Sequence, residues 1–240
     1  SYKKIDTMAL IQSLDKNIDL SDEQYIIQVF NNIKYQLKMY NFINIVSIQD
    51  DKIIILLFDT QKTKQPKILF SKLGNEILTN LKNNLSISAI IGFSENISSI
   101  KEINKIYNHY KDNLLIAKSI YPSKNIFWQK NIYFADLCSN VLNNLGDTNR
   151  LTNEFMDILN PLLDYDKKHN TDFLSTLQIF LLDCHCSSSQ EASKKLFVHP
   201  NTVNYRIKRI KEILGYDPEK QPDQSILMLA VAILRCSQMD

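Results

Sequence analysis

The sequence predicts an α+β protein: a ferredoxin-like domain first, then an all-α domain built on a helix-turn-helix. Three observations carry this. The first half alternates stretches of strand period and helical period in the order β-α-β-β-α-β, the split βαβ arrangement. From Tyr133 onward only helical periods occur. Finally, Ser187–Gly215 reads as two short helices joined by a tight turn.

Taken in order, Thr7–Leu14 (TMALIQSL) is expected as a strand. Ser21 or Asp22 then caps a helix running to about Met39. The isoleucine-rich runs Phe42–Ile48 and Lys52–Phe58 flank the turn-like Gln49-Asp50-Asp51, a hairpin signal. After Pro66 a helix is expected from about Lys67 to Asn83, with Ile68, Leu69, Leu73, Ile77, Leu78 and Leu81 on its buried stripe. Ser86–Phe93 forms the next strand, Ser98 or Ser99 opens a helix reaching Ile120, and a short strand lies near Ile126–Trp128. Phe127–Asp136 reads as a junction with Trp128 buried, which divides the chain into domains 1–130 and 131–240.

Beyond the junction, helices are expected near Phe134–Leu145, Asn149–Leu159 and Thr171–Cys184. Pro161 is expected to end the second of these, with Asp164–Asn170 (DYDKKHN) as a polar linker. The final helix, Gln224–Ser237, contains ILMLAVAILR, too short to span a bilayer and too apolar for exposure. It is expected under the motif or against a partner subunit.

Within the motif, Ser189 is the expected N-cap of a helix Gln190–Leu196. Phe197, Val198 and His199 make the corner, and Ser193 is small where the helices must cross. Pro200 suits a first helical turn, where its missing N–H costs nothing, and Gly215 supplies the left-handed stop. Val203, Ile207, Ile210 and Leu214 recur as one buried stripe. Asn201, Tyr205, Lys208, Arg209 and Glu212 fall opposite, with Asn204 and Arg206 on the flanks. Lys194, Lys195, Arg206, Lys208, Arg209 and Lys211 face only Glu191 and Glu212, so the segment is +4 in a chain of net charge +2. That local excess suits phosphate, and the amides and hydroxyls of the outer face suit base edges.

Composition excludes several classes. The 240 residues are 44% hydrophobic and 22% charged, as in a globular protein with one large or two modest cores. Four glycines and no G-x-G-x-x-G or G-x-x-x-x-G-K argue against a phosphate-binding loop. There is neither an apolar run of membrane-spanning length nor a signal-like start, so no membrane association is expected. The sequence opens on Ser1 rather than methionine, which points to a fragment of a longer chain. Cys138, Cys184, Cys186 and Cys236 show no C-x-x-C spacing; reduced thiols in a cytoplasm are expected, with neither metal nor cofactor. His109 and His169 are expected at the surface. His199 is expected to cap or support the turn, with no catalytic partner beside it.

The run Leu196, Val198, His199, Asn201, Thr202, Tyr205 and Arg206 resembles the L-x-V-H-x-N-T-x-x-Y-R signature of the PucR/CdaR family of regulators. The upstream stretch from Leu174 resembles that family's lead-in helix, while Pro200 departs from the basic residue often found there. The resemblance implies a cytoplasmic transcription regulator that binds double-stranded DNA, acts as a homodimer, and receives an effector through a sensor domain ahead of this stretch. Lys194, Lys195, His199, Asn201, Thr202, Asn204, Tyr205, Arg206, Lys208 and Arg209 are the DNA-contacting set it implies. The first half likewise resembles a GGDEF-like, palm-type domain in degenerate form. Its defining hairpin position holds Gln49-Asp50-Asp51-Lys52, without the glycines that let a backbone approach a nucleotide. A catalytically inactive domain is therefore expected. Two other classes stay open on the sequence: a weak nucleotide-binding or cyclase-like enzyme using Asp15, Asp50 and Asp51, and a basic module for an acidic protein partner.

Overall fold

The computed structural model describes residues 5–15, 23–40, 42–49, 52–58, 65–95, 97–143, 150–184 and 188–238. They form two compact units, one of Ser1–Lys118 with Lys124–Ala135, the other of Ser119–Ser123 with Asp136–Asp240.

In the first unit, β1 (Thr7–Ser13) is followed by α1 (Glu23–Met39), the hairpin β2 (Ile43–Gln49) and β3 (Lys52–Phe58), α2 (Pro66–Leu85), β4 (Ala89–Phe93), α3 (Ile100–Ile120) and β5 (Ile126–Trp128). The sheet order is β2-β3-β1-β4-β5. Neighbours from β2 to β4 are antiparallel, and β5 runs parallel to β4. Period-two alternation gives β1, β3 and β4 two apolar faces. Ala9, Ile11, Ile53, Ile55, Leu57, Ile91 and Phe93 bury one face beneath Val29, Ile33 and Leu37 of α1 and Phe70, Leu73, Ile77 and Leu81 of α2. On the other, Gly92 leaves room for Tyr110 of α3: an added Cβ would lie 2.9 Å from its ring. The Tyr110 hydroxyl donates to the Phe93 carbonyl at 2.9 Å, satisfying the polar end of a buried ring.

Three local expectations need correction. Ile68 of α2 points outward and is 66% exposed, while Phe70 takes its place in the core, because the stripe follows the sheet it packs on. β4 begins at Ala89 rather than Ser86, since Ser86 adopts a left-handed conformation as the C-cap of α2. His109 is half-buried between the Tyr110 and Tyr133 rings, at centroid distances of 6.3 and 5.1 Å. Trp128 is half-buried and stacks on Phe93 at 5.2 Å. The caps expected at Ser21 or Asp22 lie outside the described residues, as do Asp50 and Asp51 of the hairpin.

The second unit is helical. α4 (Gln129–Asn143) starts five residues before the Phe134 expected for it and runs across the boundary of the units. α5 (Arg150–His169) is followed by α6 (Phe173–Gln178), which continues as a π turn (Ile179–Asp183), then α7 (Ser189–Leu196), α8 (Pro200–Leu214) and α9 (Asp223–Ser237). Pro161 does not end α5; the helix passes through it. Leu159 and Leu162 on either side are fully buried, and their packing outweighs the lost hydrogen bond. Asp164–Asn170 is consequently no linker. Asp164–His169 belongs to α5, whose last turn carries Lys167, Lys168 and His169 to complement the helix dipole. In α9, Leu227, Cys236 and the run Ala230, Val231, Ala232, Ile233 and Leu234 are buried, so this stretch belongs to the core. Among the described residues no helix is long and apolar enough to cross a membrane.

Candidate nucleic-acid interface

The site is assembled from the end of α5 forward. Asp166 holds the next helix: its Oδ1 accepts from the Phe173 N–H at 2.9 Å and its Oδ2 from the Leu174 N–H at 2.8 Å. The Thr171 hydroxyl donates to the same carboxylate at 2.6 Å. This capping places α6, whose fully buried Thr176 becomes an anchor for α8.

The N-cap of α7 is Ser188, not Ser189. Its hydroxyl accepts from the Glu191 N–H at 3.2 Å, while Ser189 Oγ donates to Asn204 Oδ1. The Ser188–Glu191 spacing is the S-x-x-E signature, a signal that was present in the sequence. At the other end Phe197 adopts a left-handed conformation, φ 54°. Ser193 is buried where α7 meets α8, its hydroxyl turned back to the Gln190 carbonyl at 2.8 Å. His199 caps α8, with Nδ1 accepting from the Asn201 N–H at 3.2 Å. Pro200 stands in the first turn and Gly215 closes the helix at φ 73°.

Val203, Ile207, Ile210 and Leu214 are buried, as their spacing predicts. Opposite them Asn201, Tyr205 and Lys208 are exposed, Asn204 is exposed on the flank, and Thr202 is half-buried. The cations divide. Arg206 donates from Nη1 to Thr176 Oγ1 at 3.0 Å and so braces α8 against α6. Arg209 lies 5.5 Å from the centre of the Tyr165 ring and pairs with Glu212 at 2.7 Å. Lys211 pairs with Asp217 at 2.6 Å; the ammonium is pushed up and the carboxyl held below its usual range by that hydrogen bond. Lys195 donates to the Asp183 carbonyl at 3.0 Å, tying α7 to the end of the π turn. Lys194 and Lys208 are exposed.

Sequence reasoning missed the supports rather than the face. Asp166, Thr176 and Tyr165 carry no local signature, because each acts on a residue at least five positions away. In the first unit, Asp15 Oδ2 accepts from the Ser88 N–H at 2.8 Å and holds two strand ends together. His185 and Cys186 lie outside the described residues.

Residues 173–233 match the model of the PucR C-terminal helix-turn-helix domain. An uncharacterized protein of Mycobacterium tuberculosis is 36% identical over 90 residues, 37% of this chain and 20% of that protein. The proline-responsive transcriptional activator PutR of Bacillus subtilis is 26% identical over 191 residues, 78% of this chain and 44% of its own length. The DNA-binding transcriptional activator AdeR, also of Bacillus subtilis, is 26% identical over 181 residues, 73% of this chain and 40% of its own length. The chain thus spans less than half the length of each of these relatives. The capped α7, left-handed corner and α8 form a helix-turn-helix that lies within the stretch matching that domain model.

Proposed function

We propose that the chain is a sequence-specific, DNA-binding transcription regulator of the PucR type that inserts α8 into the major groove. One observation carries the reading: a capped, braced α8 presents Asn201, Tyr205 and Lys208 outward, away from its buried stripe, with Asn204 exposed on the flank. A helix so mounted enters a groove by its N-terminal residues while the preceding helix crosses the backbone. Asn201, Asn204 and Tyr205 then meet base edges or nearby phosphates, and Lys208 and Lys194 meet phosphates. Lys195 and Arg209 border the face and hold the backbone, Arg206 positions the helix, and His199 and Thr202 set its first turn. The names of PutR and AdeR, both transcriptional activators, support this reading.

We further propose a cytoplasmic homodimer, because one recognition helix reads only a short site and two-fold symmetry doubles it. The sheet of the first unit, with β1 flanked by β3 and β4 and split crossovers, supports a ferredoxin-like, palm-type reading. In its GGDEF-like version here, the hairpin position has no glycine and Asp15 is spent on Ser88. The domain is accordingly read as catalytically inactive, serving signalling or dimerisation, with the effector sensed elsewhere.

The test is titration of the chain against a duplex it enriches from a randomised pool and against a scrambled duplex, at several salt concentrations. Asn201→Ala should cost about 1–3 kcal/mol on the enriched duplex and much less on the scrambled one. Lys208→Ala should weaken both and reduce the salt slope by about one. Equal weakening of both duplexes by Asn201→Ala would sink the base-reading assignment and favour a basic surface for an acidic partner.

A further inference from the structure

Phe197 is 94% exposed, far more than any other large hydrophobic side chain of the described residues. It also stands in the left-handed region at φ 54°, where a bulky side chain crowds its own backbone and glycine or asparagine does not. The turn itself needs this conformation: the Val198 N–H reaches back to the Ser193 carbonyl at 3.1 Å to close α7. It does not need the ring. A phenyl group held at a conformational cost, with almost no surface buried, gains little packing from the described residues. Its compensating contact lies outside.

Its place in the fold indicates which contact. The corner joins α7, the helix that crosses the backbone, to the N-terminus of α8, the end that enters the groove. A residue at that corner passes the wall of the groove, which is lined by sugar carbons between phosphates. Lys194 is exposed one turn earlier on α7, and Asn201 is exposed one turn later on α8. The ring therefore sits between a cation suited to phosphate and an amide suited to a base edge, where an apolar surface matches deoxyribose. We propose that Phe197 lays its ring against the deoxyribose wall of the groove that α8 enters. The inference rests on the DNA-binding reading above and adds a contact that carries neither charge nor sequence information.

Phe197→Gly separates this from other roles, because glycine keeps the turn and removes only the ring. In the full chain the melting temperature should be unchanged or raised. Affinity should fall by about tenfold on the enriched and scrambled duplexes alike, the loss of a half-buried aromatic contact. The slope of log affinity against log salt should stay that of the unsubstituted chain, since no cation is removed. Phe197→Tyr should restore most of the affinity. Unchanged affinity for Phe197→Gly overturns the proposal. So does a melting temperature lowered by several degrees, which would place the ring in the protein core. Loss of affinity on the enriched duplex alone would make it a base reader, and dissociation of a dimer without DNA would seat it on a second copy; both overturn the sugar contact. If the unsubstituted chain binds neither duplex, the DNA-binding reading falls and takes this inference with it. If it binds both and Phe197→Gly binds them equally well, this inference fails alone.

Discussion

At the scale of single residues, the second unit holds a buried ion pair between Arg235 and Asp183. Arg235 of α9 reaches the carboxylate of Asp183 with both guanidinium nitrogens, Nη2 at 2.9 Å and Nη1 at 3.2 Å. Its Nη1 also donates to the Ile120 carbonyl at 2.6 Å. The two side chains are only 10% and 8% exposed. Such a pair adds little net stability over a well-packed apolar pair, but half of it is expensive, since the remaining charge has left water without compensation. Arg235→Ala should therefore destabilise the unit by about 3–5 kcal/mol in urea unfolding. Asp183→Leu together with Arg235→Met should lose far less. Equal losses from the single and the double change would mean that the pair is not coupled as its geometry implies. Since Lys195 holds the carbonyl of the same Asp183, the damage should extend to α7 and the proposed DNA-contacting face of α8.

At the scale of elements, each helix of the motif is held by a cap and a neighbour rather than by its own length. α7 has eight residues, too few to persist alone. Ser188 satisfies one of its free amides, so Ser188→Ala should cost about 1 kcal/mol. Ser189→Ala leaves the cap in place and removes only an exposed contact to Asn204, so its cost should be smaller. Denaturation midpoints of the two variants decide this; a larger loss from Ser189 would return the cap to that residue. α8 is longer, and its position comes from Arg206 on Thr176 and from four buried aliphatic side chains.

At the scale of the whole molecule, the proposed homodimer needs a surface, and most of the apolar run of α9 is taken up by the core of its own unit. Leu227 and the run 230–234 are buried, and the helix packs against α5, α6 and the π turn of its own unit. Leu227→Asp should accordingly unfold the helical unit, by the cost of an unpaired charge in a core, rather than release a folded monomer. Circular dichroism with sedimentation distinguishes the two outcomes. The unsubstituted chain should sediment as a dimer on its enriched duplex, and a monomer both free and bound would refute two-fold recognition.

The sequence by itself determined what local periodicity and chain stereochemistry control. The strand order of the first half, the turn chemistry of Pro200 and Gly215, and the buried stripe of α8 were all legible, because each depends on neighbours within a few residues. The outward set from Asn201 to Lys208 follows from that stripe, so the candidate interface was readable before any tertiary contact was known. Only the tertiary structure decided what depends on distant partners. Pro161 reads as a helix end, yet Leu159 and Leu162 carry α5 through it. Ile68 fits an apolar stripe, yet the sheet selects Phe70. The cations of the motif look equivalent in sequence, yet Thr176, Tyr165, Asp217 and Asp183 engage Arg206, Arg209, Lys211 and Lys195. Those partners lie from 6 to 44 positions away, beyond the reach of any helical or strand period, so packing alone could assign them.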